Sequence, residues 1–312
     1  MITRRNFIHR GSAGIVAATL AVNHAFADTE NSSKSSEPLP WLRKSLKLGM
    51  LRKLDGSLAD RFRLAREAGF HGVEPNTGAF DPEEAVAAAE ASGLIIDGTV
   101  CGNHWKVRHT DPDPEVRRQA LQDLTTGIQH TAAVGADTIL LVPGHGKDGD
   151  DDAVYKRALE NIRLALPTAE KHGVSILMEN VWNDFLYDHD GGNNQTADRT
   201  AQFVDDFNSP LVGVQFDIGN HWKYGDPAGW IRTLGDRIKK LDVKGFSRAD
   251  DRFTAITEGD IDWPSVEEAL REIQFTGWLA AEVAGGDFEY LKNVAAQMES
   301  ALNCSKKAAT IG

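Results

Sequence analysis

Cysteine is nearly absent: Cys101 and Cys304 are the only two in 312 residues. That excludes a disulfide framework. Basic side chains are outnumbered, 34 Lys and Arg against 46 Asp and Glu, for a formal net charge of -12. Such a balance speaks against nucleic acid and anionic membranes as partners. Long apolar runs are missing too. The stretch over residues 11–22 falls short of the ~18–20 residues that a membrane span needs. The glycine-rich dinucleotide fingerprint does not follow the first strand-like run, which disfavours an open doubly wound sheet. The acidic run DGDDD at 148–152 lacks the glycine spacing and downstream Glu of a calcium loop, and reads as a solvated helix lead-in. No low-complexity segment and no second domain are evident.

What is present is ordinary in bulk: 41% hydrophobic and 26% charged residues, as in soluble globular proteins. The N-terminus is distinctive. Thr3-Arg4-Arg5-Asn6-Phe7-Ile8 resembles a twin-arginine export signal, and Ala25-Phe26-Ala27 offers a small-residue cleavage site. The expectation is a signal peptide over 1–27, recognised by the twin-arginine export machinery, and a periplasmic or otherwise exported mature chain with no membrane span. Losing Arg4, Arg5 and Arg10, with no acid, takes the charge from -12 to about -15. Residues 28–45, rich in Ser, Glu and Pro, read as a flexible leader. A single domain is expected over 46–302, with a tail over 303–312.

From residue 46 short β-rich runs alternate with helical patterns. The runs are LKLGML (46–51), GVEP (72–75), LIIDGTV (94–100), TILLVP (138–143), SILMEN (175–180), VGVQFD (212–217), IKKLDVKG (238–245) and WLAAEV (278–283). Helices are predicted over 58–68, 82–92, 114–134, 153–172, 196–207, 227–234, 264–273 and 288–302. Several end in a glycine suited to a left-handed C-cap before the next strand. Strands that alternate with helices pair in parallel. Eight such units predict an α/β fold, the (β/α)8 TIM barrel, with function in the loops that follow the strands.

Four of these runs end in an acid: Glu179, Asp217, Asp242 and Glu282. Converging at one barrel mouth, four carboxylates need compensating charge. All-oxygen ligation predicts one divalent metal ion, Mn²⁺ or Mg²⁺ in preference to Co²⁺ or Zn²⁺. Glu74 ends the second run and is a candidate for a sugar hydroxyl or for an ion pair inside the barrel. Loop residues His104, His109 and His145, with Trp105, Trp182 and Trp222, are further candidates on the same face.

The segments GVEP, LMENVWNDFL, VQFDIGNHWKYGDPAGWIRTLGDRIKKLDVKGF, TEGDIDWPSV and GWLAAEV resemble the xylose-isomerase-like TIM-barrel superfamily of sugar isomerases and epimerases, which also holds endonuclease IV. The resemblance implies a metal site of Glu, Asp, His and Glu. Here Asp242 stands where the family has the His of a His-x-Lys-Asp phrase. It further implies that Glu179 and Glu282 are general acid and base, that Arg248 holds a substrate hydroxyl, and that Lys244 and Glu258 support the ligands. His221, four residues past Asp217, is an alternative ligand or sugar contact. Such barrels often form homodimers.

The expected activity is a metal-dependent carbohydrate isomerase or epimerase, moving a proton next to a carbonyl of a small, unphosphorylated sugar or keto-sugar. Two alternatives stay open. One is a lyase that cleaves 3-keto-glycosides by elimination. The other is a non-catalytic sugar-binding barrel, with Asp242 as the sign of a lost site. Endonuclease chemistry is opposed by the acidic charge.

Overall fold

Alternation at period two drives the strands, and glycine caps end the helices between them. The computed structural model describes residues 40–305. The expected signal segment, the leader up to residue 39 and residues 306–312 lie outside the described residues. Among the described residues there are eleven strands: β1 (Leu42–Leu46), β2 (Gly72–Val73), β3 (Ile95–Ile96), β4 (Thr99–Val100), β5 (Thr138–Leu141), β6 (Ser175–Glu179), β7 (Val212–Asp217), β8 (Ile238–Val243), β9 (Gly245–Ser247), β10 (Arg252–Thr254) and β11 (Gly277–Ala281).

Seven of them form one parallel sheet in the order β1-β11-β8-β7-β6-β5-β4. The parallel pair β2–β3 closes it through single bridges, Lys47 to Glu74 and Asn76 to Val100. β3 and β4 are two pieces of one stave, interrupted at Asp97-Gly98. The ring therefore has eight staves, as a (β/α)8 barrel requires. An antiparallel hairpin, β9–β10, projects after β8.

Two boundaries differ from expectation. The first strand is Leu42–Leu46, and a 3-10 helix follows at Leu48–Lys53. Residues 40–45 are thus barrel, not leader. Trp41 is buried and its Nε1 donates to the Asn303 carbonyl at 2.8 Å. That contact also fixes the start of the expected tail, where Cys304 is buried. The helical pattern over 153–172 divides into Asp151–Arg163 and Leu166–His172. Pro167 lacks the N–H that would bond back to Arg163, so the helix restarts with proline in its first turn. Gly93 and Gly173 cap their helices at φ +70° and +67°.

The apolar core lies between strands and helices: Ile139, Ile176, Val214, Leu241 and Leu279 pack outward against Phe62, Ile128, Phe203, Trp230 and Leu270. The barrel interior is different. Ser45, Glu74, Asp97, Gln215, Lys240 and Asp242 are all buried there. Polar side chains replace much of the branched aliphatic filling usual in such barrels, and local rules are broken most often at functional sites.

Candidate active site

Period two along a strand sends alternate side chains to one face. On β8 that places Lys240 and Asp242 inward, with Lys244 next beyond the strand end; on β7 it places Gln215 and Asp217. A column of alternating charge results. At the bottom, Lys240 Nζ lies 2.5 Å from Glu74 and 2.7 Å from Asp97, whose other oxygen accepts from Ser45 Oγ at 2.5 Å. In the middle, Lys47 pairs with Glu74 and, at 2.9 Å, with Asp242 Oδ2. Gln215 Nε2 donates to Asp242 Oδ1 at 2.9 Å. At the mouth, Lys244 Nζ sits 2.8 Å from Asp217 Oδ2 and 2.5 Å from Glu282 Oε2.

Glu179, Asp217, Asp242 and Glu282 meet as expected. Each presents an oxygen, and these atoms all lie within 4.8 Å of one another. Asp217 is pinned at a helix start: its Oδ1 accepts from Asn220 N at 2.8 Å, and its backbone N–H donates to Asn180 Oδ1 at 2.7 Å. Its buried Oδ2 faces the Lys244 ammonium at 2.8 Å. Above these acids opens a cavity of about 530 Å³, lined by Lys47, His104, Trp105, Glu179, Trp182, Lys244 and Glu282 among others. Small-molecule sites run from roughly 300 to 1,000 Å³.

The electrostatics separate the four acids. Burial, with repulsion from Glu282 and Asp242, pushes the Glu179 carboxyl well above its usual range. Burial lifts Asp217 to about 6 against the pull of Lys244. Burial lifts Asp242 to about 7 against the pull of Lys47. Glu282 moves the other way: burial would raise it, but Lys244 and Lys47 outweigh that and hold it below its usual value.

The donor set fits a hard divalent cation. Among the described residues the column holds six carboxylates (Glu74, Asp97, Glu179, Asp217, Asp242, Glu282) against three ammonium groups (Lys47, Lys240, Lys244). The excess negative charge gathers at the mouth, where Asp217 and Glu282 share the single Lys244 ammonium. Oxygen-only donors favour Mn²⁺ or Mg²⁺.

The remaining expected residues divide. His104 lines the cavity. Its Nδ1 accepts from Val142 N at 3.1 Å, and burial lowers it to about 4, so the ring is neutral with Nε2–H as its donor. Lys244 does more than support a ligand, since it touches two of the four acids directly. Five further expected residues lie outside the lining of this cavity. Glu74 is fully buried beneath the acids in ion pairs, because inward β2 side chains at that level meet Lys47 and Lys240. His145 starts a 3-10 turn and its Nδ1 accepts from Lys147 N at 3.1 Å. His221 is buried among Tyr187, Tyr224 and Trp230 with Nδ1 3.1 Å from Asn180 Nδ2. Arg248 donates to the Trp222 and Gly225 carbonyls and stacks on Trp222, locking its loop. Glu258 is exposed and has no hydrogen bond or ion pair to Lys244; its neighbour Asp260 does the holding, accepting from Trp222 Nε1 and Arg248 N.

The last position of the His-x-Lys-Asp phrase is Gly245 in this chain. A Cβ there would lie 2.0 Å from the Ala255 carbonyl oxygen. Only glycine lets β9 and β10 approach so closely. The hairpin carries Phe253 over the cavity, where it stacks on Trp182 with ring centroids 5.0 Å apart.

This barrel, with carboxylates at its strand ends, defines the class. The chain belongs to the xylose isomerase-like TIM barrel family, whose model matches residues 62–308. It is 22% identical over 237 residues to 2-oxo-tetronate isomerase of Pectobacterium atrosepticum, covering 73% of this chain and 87% of that protein. Its fold is similar to 3-keto-D-glucoside 4-epimerase of E. coli, with a TM-score of 0.68 at 15% identity over 83% of this chain and 99% of that one. It is also similar to D-psicose 3-epimerase of Clostridium cellulolyticum, solved with D-tagatose: TM-score 0.67, 17% identity, 85% of this chain and all 100% of the other.

Proposed function

We propose that the protein is a metal-dependent carbohydrate isomerase or epimerase that moves a proton at the carbon next to a carbonyl. The observation that carries this is the opposed poise of two carboxylates lining one cavity. Burial and its acidic neighbours push Glu179 well above the usual carboxylate range, while Lys244 and Lys47, against the cost of burial, hold Glu282 below it. Two titratable groups pushed apart by their surroundings are the signature of an acid and base pair. Glu282 takes the proton from the substrate carbon, and Glu179 returns one.

Glu179, Asp217 and Glu282 would hold the cation, with Asp242 completing the set. When bound, it would polarise the carbonyl and the neighbouring hydroxyl and make the C–H of the hydroxyl-bearing carbon acidic. Lys47 keeps Glu74 and Asp242 in place. His104 offers its Nε2–H to a substrate oxygen, and Trp105 offers an apolar face to the sugar ring. The isomerase and epimerase names of the relatives support this reading. The Thr3–Ile8 motif supports export, and with it an unphosphorylated substrate.

The test is solvent-deuterium incorporation into a panel of ketoses by the Mn²⁺-loaded protein. Glu179→Gln and Glu282→Gln should each lower the exchange rate by at least about a thousandfold, compounding acid–base losses of roughly 10²–10⁴, with unchanged thermal melting. Near-normal exchange in either variant contradicts the two-carboxylate mechanism. Release of an aglycone from a 3-keto-glycoside, without exchange into ketoses, would favour the lyase instead.

A further inference from the structure

We propose that a second chamber beside the carboxylate cavity binds a glycosyl group, so that the substrate is a keto-sugar carrying a second sugar ring. This rests on the proton-transfer reading and narrows its substrate. The second chamber measures about 690 Å³, against about 530 Å³ for the first. The two meet along Lys244, Phe253, Glu282 and Val283, which line both. The base of the acid and base pair therefore faces both spaces.

The far wall is the helix Phe288–Leu302, which turns Tyr290, Asn293 and Gln297 toward the chamber. Spacings of three and four put these side chains on one helix face. Tyr290 leaves a large aromatic surface uncovered, at 36% exposure. Neither the Asn293 nor the Gln297 amide hydrogen-bonds to another described residue. An aromatic ring beside two free carboxamides matches a pyranose, whose C–H face packs on the ring and whose hydroxyls pair with amides. Phe253, held in place by the Gly245 hairpin, forms the divider. A free ketohexose occupies one side of it. A glycosylated ketose reaches across, with its reacting carbon over Glu179 and Glu282.

The test uses the full mature chain loaded with Mn²⁺. The probes are fructose and tagatose against the keto-disaccharides lactulose, isomaltulose and turanose. Calorimetry reads binding, and solvent-deuterium incorporation reads proton transfer. At least one keto-disaccharide should bind at least tenfold tighter than either ketohexose. Asn293→Trp, which fills the chamber from an exposed helix position, should cut that preference by tenfold or more. The double variant Asn293→Ala/Gln297→Ala, which only removes the amides, should weaken disaccharide binding several-fold. Equal affinities for the two probe sets, or a preference untouched by Asn293→Trp, overturns the proposal. Tight disaccharide binding without exchange into any probe contradicts the proton-transfer reading and leaves the chamber supported.

Discussion

The two lysines at the mouth are as informative as the four acids. Lys47 and Lys244 are both largely buried, and each bridges two carboxylates. Removing one partner of a buried ion pair leaves an uncompensated charge, at a cost of about 3–5 kcal/mol. Lys244→Met should therefore lower unfolding free energy by about that much in urea titrations without added metal. It should also strengthen Mn²⁺ binding, since the ammonium no longer competes for Asp217 and Glu282. Weaker Mn²⁺ binding in this variant would mean that Lys244 organises the site instead of competing at it. Protonation competes at the same oxygens. Asp217 and Asp242 titrate near 6 and 7, raised from ordinary carboxylate values by burial. Below pH 6 both hold protons that a cation must displace. Mn²⁺ affinity should thus rise with pH through 6 to 7, with proton release seen as buffer-dependent calorimetric heats. A pH-independent affinity would contradict these assignments. The acids were legible because an apolar run ending in Asp or Glu stands out in sequence. The lysines were not. Lys240 and Lys244 share the parity of Asp242 along β8, a signal available in IKKLDVKG, but Lys47 shows its role only when the ring closes, with β1 beside β2 and β11 and its side chain reaching across to Asp242.

At the scale of elements, the hairpin after β8 governs the shape of the site. Gly245→Asp, which restores the family's residue, puts a side chain against the Ala255 carbonyl. The hairpin should shift and uncover Trp182, which now packs beneath Phe253. Trp182 fluorescence should move to longer wavelength and hydrogen exchange over 245–254 should speed up; unchanged values would mean that the chain absorbs the Cβ elsewhere. The helices were largely readable, because Asp81 and Asp113 cap helices beginning at Pro82 and Pro114 and glycines end others. The hairpin was not. Its strands are three residues each, and the second, Arg252–Thr254, is mostly exposed, so it carries no buried alternation. The second stave pair was blurred for a similar reason. LIIDGTV reads as one strand, yet Asp97-Gly98 splits it so that Asp97 can meet Ser45 and Lys240.

For the whole molecule, the strand and helix rhythm carried the barrel and its orientation, and hence the face on which function lies. Closure depended on long-range contacts that no local pattern records: β1 against β11, and Trp41 against the chain's last described turn. That is why the leader was drawn too long. A chain starting at residue 38 should melt as the mature protein does, whereas one starting at 47 loses β1 and should fail to give a cooperative transition by circular dichroism. A folded chain from 47 would show that the ring closes without β1.

The central claim is that the strand-end carboxylates form one divalent cation site. Mn²⁺ titration of the purified mature chain, followed by electron paramagnetic resonance and elemental analysis, tests it most directly, with Asp217→Asn alongside. The account predicts about one Mn²⁺ per chain, and binding weakened by at least tenfold in Asp217→Asn with the fold intact. No binding, or binding that Asp217→Asn leaves unchanged, would contradict it.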